Sequence, residues 1–240
     1  MAQIIVLSDI HGNLRALEAV WHDIERRPGA RVFCLGDLAA FGPEPEACIR
    51  FVRDVVRPEA VIRGNTDRYL VEQPWSSVEH PTELQQSLAW TRGRLSADSV
   101  GWLGTLAAEH HVSVDGYDLH LTHGAPGDDE LELGPATDAA TWERLFANAS
   151  PGVTFCGHTH VPFRKRIGPR LVINDGSVGL PFDGDQRAGY SRATITASGV
   201  LDYEFRRVSY PTDIVIAELR TAAPPWVDTL VRRLRFAERV

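Results

Sequence analysis

Apolar positions along the chain follow two rhythms. QIIVLSD (3–9), ARVFCLGD (30–37) and EAVIRGN (59–65) are short blocks with the length and branching of buried strands. Between them the period lengthens. Leu14, Leu17, Val20, Trp21 and Ile24 share one helical face over 14–26, as do Cys48, Phe51, Val52 and Val55 over 44–56. Residues 69–82 mix Pro, Trp, Ser and His without a period and read as a surface loop. Helices are expected at 83–93 and 97–108, with Ser96 capping the second. VSVDGYDLHLTHG (112–124) predicts a hairpin about Asp115-Gly116, followed by a helix at 138–148 and the strand GVTFCGH (152–158). RLVIND, YSRATIT and VLDYEFRRV add strands with a Ser198-Gly199 turn, and two helices finish the chain.

Strands alternating with helices, then a run of strands, predict an α/β fold with two stacked sheets between helical layers. One domain over 1–240 is expected, the C-terminal helices from about 211 packing on the sandwich. Hydrophobic residues make up 43% and charged residues 24%, ordinary values for a globular protein. The net charge of -7 argues against a nucleic-acid partner, which calls for clustered cations. The basic RRLRFAER near the C-terminus reads as a solvated helix face. No apolar run approaches the roughly 20 residues of a membrane span, and Asp9 interrupts the first apolar run too early for a secretory signal. A cytoplasmic location without membrane association is the expectation. Cys34, Cys48 and Cys156 are too scattered for a disulfide framework or a CxxC site.

The chemistry lies at the strand ends. They read Asp9-Ile10-His11-Gly12-Asn13, Gly36-Asp37, Gly64-Asn65-Thr66-Asp67, His123-Gly124 and Gly157-His158-Thr159-His160. Carboxyl ends of neighbouring strands in α/β folds converge on one crevice. Singly, each motif is as well explained by a turn; together they offer two Asp, one Asn and four His. Carboxylate and amide oxygens mixed with imidazoles suit Mn, Fe, Zn, Co or Ni better than Ca or Mg. The lack of a cysteine ligand argues against structural zinc.

In this order the motifs resemble the signature blocks of the calcineurin-like metallophosphoesterase superfamily. THGAP, FCGHTHVPF, INDGSVGLP and DGDQRAGY are similar to its small YfcE-like bacterial and archaeal phosphodiesterases. The resemblance spans about residues 3–208 and implies a four-layer αββα sandwich of two mixed sheets flanked by helices. It implies two divalent transition-metal ions, Mn foremost. Asp9, His11 and His160 would bind the first, Asp37 would bridge, and Asn65, His123 and His158 would complete the second. Attack on phosphorus by a metal-bridged hydroxide would follow, with Asp37, Asn65 and His123 central to catalysis.

One departure matters. Where many members of the superfamily have Gly-Asn-His, this chain has Gly64-Asn65-Thr66, and threonine cannot replace imidazole as general acid. His80, in the 69–82 loop, reads first as a solvent-exposed loop histidine and second as an alternative proton donor that could swing over the site. Asp67 is expected either to orient Asn65 or a ligand histidine or to cap a turn, Arg63 and Arg68 to be solvated or to attract an anion. Asn174 and Ser177 are expected to hold a loop near the site, Asp175 standing where the resembling group has proline. The expected activity is a phosphodiesterase acting on a small-molecule or nucleotide phosphoester. The alternatives are a phosphomonoesterase, serine/threonine protein phosphatases included, and a non-catalytic metal-binding scaffold like the small retromer subunit of the same fold. Trp226, Val227 and Leu230 leave a homo-oligomer open, although covering the chain's own sheet is their simpler use.

Overall fold

The computed structural model describes residues 1–27 and 29–239. Its elements begin with β1 (Ala2–Leu7), α1 (Leu14–Glu25), β2 (Arg31–Cys34), α2 (Pro45–Arg50), β3 (Ala60–Val61), α3 (Asn65–Glu72), α4 (Glu83–Arg92) and α5 (Ala97–Leu103). They continue with β4 (Glu109–Val114), β5 (Tyr117–Thr122), α6 (Ala139–Phe146), β6 (Gly152–Cys156), β7 (Phe163–Ile167) and β8 (Arg170–Asn174). β9 (Ala188–Thr196), β10 (Gly199–Val208), α7 (Thr212–Ala222) and α8 (Val227–Phe236) complete the described chain.

Two five-stranded sheets result, ordered β10-β9-β1-β2-β3 and β4-β5-β6-β8-β7. β1, β2 and β3 run parallel, as do β5, β6 and β8, while β9, β10, β4 and β7 add antiparallel neighbours. Alternation along β1 divides the core. Ile4 and Val6 face the second sheet, meeting Leu119, Leu121, Val153 and Phe155. Ile5 and Leu7 face outward to Leu17 and Val20 of α1 and Ile49 of α2, in a layer that also buries Val215, Leu219, Leu230 and Leu234. Trp142 and Phe146 of α6 cover Cys156 and Val172 on the far side of the second sheet. The architecture is the four-layer αββα sandwich. Leu230 is buried and Trp226 and Val227 pack against the same helical layer, so these residues cover the chain's own sheet. Among the described residues no helix is long and apolar enough to cross a membrane.

Several elements differ from the sequence reading. The 69–82 stretch opens inside α3, which starts at Asn65 after an extended Gly64. The helix expected over 44–56 is α-helical only to Arg50 and continues as a π-helix over Phe51–Val56. The helix expected over 97–108 stops at Leu103, where Gly104 ends it. β7, FRKRI, was not anticipated. Among the described residues it pairs only with β8 at the sheet edge, where the successive cations Arg164, Lys165 and Arg166 discourage further pairing.

Candidate metal centre

The turns leaving β1 and β2 are zipped together by backbone hydrogen bonds. Asp9 N donates to Gly36 O at 3.1 Å, His11 N to Asp37 O at 2.8 Å and Gly12 N to Leu38 O at 2.9 Å. Such tight turns force unusual backbone. Asp9, His11, Asp37, His158 and His160 all adopt left-handed conformations, with φ of 55°, 50°, 54°, 68° and 59°. A non-glycine residue held there costs about 1–3 kcal/mol, and such strain collects at functional sites.

The side chains so aimed form two donor groups, Asp9–His11–His160 and Asp9–Asp37–His123, each with its ligand atoms within 4.8 Å of one another. Asp9 Oδ1 lies 3.3 Å from His160 Nε2, 3.7 Å from His11 Nε2 and 4.0 Å from His123 Nε2. Asp37 Oδ2 stands 3.5 Å from both His11 Nε2 and His123 Nε2. Asn65 Oδ1 is 3.1 Å from His123 Nε2, and the His158 ring meets the His123 ring edge-on at 5.2 Å. The structure therefore brings all seven sequence-predicted ligands around one cleft. His80 is exposed and is not among the residues lining that cleft.

The donor chemistry fits cations. Asp9 Oδ1 is buried and has no hydrogen-bond partner, while Oδ2 accepts from Ser8 Oγ at 2.6 Å and from His158 N at 3.0 Å. The Nε2 atoms of His11 and His160 face each other at 3.0 Å. Their other nitrogens are engaged: Nδ1 of His11 lies 3.2 Å from Ala40 O, Nδ1 of His123 2.8 Å from Leu35 O, and Nδ1 of His160 against Leu180 O. Each ring thereby donates outward through Nδ1 and turns Nε2 inward, the orientation typical of metal-binding histidines. His158 is reversed, its Nε2 lying 3.0 Å from Glu130 O.

Electrostatics without cations shows how tightly these groups interact. Burial works to raise the Asp9 carboxyl, yet the facing His160 and His123 imidazoles bring it down to about 2. Burial and the neighbouring His160 lower His11 to about 4. Burial also works to lower His123, but the Asp37 carboxylate overrides it and lifts the imidazole to about 10. Asp37 itself is held well below the usual carboxylate range, burial being outweighed by His123 and His11.

A surrounding layer fixes the ligands. Asp67 accepts from Asp37 N at 2.7 Å, Leu38 N at 3.0 Å and Gly64 N at 3.0 Å, so it both caps α3 and orients the Asp37 turn. Burial and the nearby Asp37 raise its carboxyl to about 7. Ser177 Oγ donates to Asp9 O at 2.7 Å, and Asn174 Nδ2 donates to Gly157 O and Thr159 Oγ1, so both hold the loops as expected. Asp175 lies buried below them, and burial pushes its carboxyl well up. Arg68 is pinned rather than solvated: Nε and Nη2 donate to the two oxygens of Asp129 at 2.8 and 2.7 Å, and Nη2 also to Glu130 Oε1 at 2.6 Å. It thereby anchors the segment whose Glu130 carbonyl meets His158. That tie was not legible in the sequence, where Asp128, Asp129 and Glu130 form one acidic run with no mark of which residue pairs inward.

A double-sheet sandwich with aspartate and histidine donors gathered at its strand ends defines a metallohydrolase-type centre. The calcineurin-like phosphoesterase superfamily domain matches residues 2–198, and the chain belongs to that superfamily. The family is one of metal-dependent phosphoesterases, which supports a hydrolase, and the donor groups of this chain are in keeping with it. Its fold is similar to that of a metallophosphoesterase from Sphaerobacter thermophilus, with TM-score 0.78 and 29% identity over 98% of this chain and 99% of that one. Protein PH1004 of Pyrococcus horikoshii OT3 shares the fold at TM-score 0.86, with 19% identity and full coverage of both chains. Phosphodiesterase YfcE of Escherichia coli K12 is 25% identical over 193 residues, 77% of this chain and 84% of that protein. The superfamily match and the YfcE similarity bear out the resemblance read from the strand-end motifs.

Proposed function

We propose that this chain is a dinuclear metal-dependent phosphodiesterase acting on small organic phosphodiesters. In this reading residues 1–240 work as one catalytic unit. Asp9, His11 and His160 hold one cation, and Asn65, His123 and His158 the other, with Asp37 between them. The observation that carries the reading is the Asp37 carboxylate oxygen, 3.5 Å from a histidine of each group. Bound cations, manganese foremost, supply Lewis acidity that generates a nucleophile from water and neutralises phosphoryl charge. The chain's residues supply the rest. Asp67 and the backbone zipper keep Asp37 oriented, and Asn65, at the start of α3, presents its amide oxygen beside His123. Thr66 N donates to Asp37 Oδ1 at 2.9 Å, fixing the oxygen that faces away from the histidines.

Diester preference is supported by what stands near the centre. The histidines lining the cleft, His11, His158 and His160, are all among the proposed ligands. Thr66 occupies the position where a proton-donating imidazole would serve poor leaving groups. Rates should therefore depend steeply on leaving-group acidity: p-nitrophenyl diesters should react well and alkyl diesters poorly. Assays of manganese-loaded protein on bis(p-nitrophenyl) phosphate and p-nitrophenyl phosphate test the reading alongside metal analysis. We expect faster diester cleavage, and Asp37→Asn should lose bound metal and activity together. Metal-loaded protein inert on both esters would favour the scaffold instead, and faster monoester cleavage the monoesterase.

A further inference from the structure

The cleft over the metal ligands is a cavity of about 270 Å³ whose lining mixes polar groups, Glu132 and Arg239 among them, with aromatic and apolar side chains. An arc of rings, joined at its middle by the Arg233 guanidinium, runs from one ligand histidine to another. His11 lies 5.3 Å from Phe41, and Phe41 meets Trp226 edge-on at 6.0 Å. The Arg233 guanidinium sits 4.2 Å from the Trp226 ring and 5.4 Å from Phe182, which stacks on His160 at 4.4 Å and 15°. Tyr69 and Leu88 also line the cavity, as does Leu84, which is 42% exposed.

The backbone marks this wall as built. Phe41 and Trp226 both adopt left-handed conformations, with φ of 81° and 73°. For a bulky aromatic that is an outlier, sustained only where the surroundings impose it. Trp226 and Arg233 also lie beyond residue 198, outside the part of the chain that matches the superfamily domain. The catalytic floor is thus common to the family, while half of this wall comes from the added C-terminal helices.

We infer that the Phe41–Trp226–Arg233–Phe182 arc and Leu84 are a recognition site for a planar ring of nucleobase size on the phosphodiester substrate. The inference rests on the phosphodiesterase reading and specifies its substrate. Rings stack on aromatic faces and apolar walls for about 1–3 kcal/mol per base, largely independently of base identity. Arg233, braced between two rings, adds positive charge to the lining of the cleft, which favours an anionic ester.

Two substrates with one leaving group isolate the wall: thymidine 5′-(p-nitrophenyl phosphate) and methyl p-nitrophenyl phosphate. Water cleaves each at the P–O bond to p-nitrophenolate, so they differ only in the group that stays on phosphorus. Manganese-loaded protein should favour the thymidine ester about tenfold or more in kcat/KM. Trp226→Leu should shrink that ratio at least about threefold, and so should Leu84→Ala, a change at an exposed side chain that spares the core. A ratio near one in the parent protein, or a ratio unchanged in both variants, overturns the inference. Should neither ester be cleaved, the phosphodiesterase reading fails separately, and calorimetry decides the wall. AMP must then bind the manganese-loaded protein more tightly than ribose 5-phosphate, with Trp226→Leu removing the difference; equal binding overturns the inference.

Discussion

Gly157 shows how little slack surrounds the metal ligands. A Cβ there would run into Ser8 Oγ and the Asp9 carboxylate, and a Cβ at Gly64 would meet the Asp37 carboxylate. Gly157→Ala should therefore tilt Asp9 away from both donor groups. Weakening of metal binding by about 10–100-fold is expected, the scale seen when a ligand's support is disturbed. Competition with a chromophoric chelator measures it, and an unchanged affinity would contradict the tight-packing account. At this scale the sequence was informative because few residue types ligate metals, and five of the seven candidates stood beside a glycine at the end of an apolar run. Roles that depend on a partner were not legible. Asp67 takes the turn-capping role through Gly64 N, and its other bonds hold the Asp37 turn rather than Asn65 or a ligand histidine; Arg68 proved to be an anchor because its partners lie about sixty positions away in the chain. The ring wall left no sequence signature, since Phe41, Phe182 and Trp226 share no spacing.

Among elements, α1 is tied to the first sheet by one carboxylate. Asp23 accepts from Tyr190 Oη at 2.7 Å on β9, Arg206 Nε at 3.0 Å on β10, and from Arg26 and Arg27 at 2.7 and 3.1 Å. Burial favours its neutral form, but the hydroxyl and the guanidinium groups hold it far below the ordinary range. A carboxyl depressed in the folded state stabilises above its unfolded pKa, near about 3.9, and loses that contribution as pH falls toward the folded value. Urea midpoints should accordingly drop from about pH 5 downward. Asp23→Asn should cost about 3 kcal/mol at neutral pH and flatten this part of the profile. Equal acid sensitivity in the two proteins would show that the tie contributes little. Elements with a full apolar period, such as β1 and α1, were legible from pattern alone. β7 was not, because the three successive cations Arg164, Lys165 and Arg166 conceal an edge strand, and α3 was hidden by the polar residues that place Asn65 and Asp67 at the site.

At the scale of the whole molecule the donors divide between the two sheets. Asp9, His11, Asp37 and Asn65 follow strands of the first, while His123, His158 and His160 follow strands of the second. Cations held between them would staple the sheets together and relieve the repulsion between Asp9 and Asp37. With free metal at about 100 times Kd, binding adds about 2.7 kcal/mol, which for a chain of this size corresponds to roughly 5–10 °C in Tm. Calorimetry before and after chelation checks this, and an unchanged Tm would place the donors outside any cross-sheet clasp. The sandwich itself followed from the alternation of strands and helices. Which strands neighbour which did not, because sheet order is decided by contacts between segments far apart in sequence.

The left-handed backbone at five of the ligand positions also constrains how this centre can change through evolution. Glycine, asparagine, aspartate and histidine tolerate that conformation better than other residues, and three of those four also donate to metals. Geometry and chemistry therefore select nearly the same alphabet. A descendant that abandoned the metal would still be barred from valine or isoleucine at Asp9, His11, Asp37, His158 and His160. Decay at these positions should run toward asparagine and glycine, leaving the turns intact after the chemistry has gone.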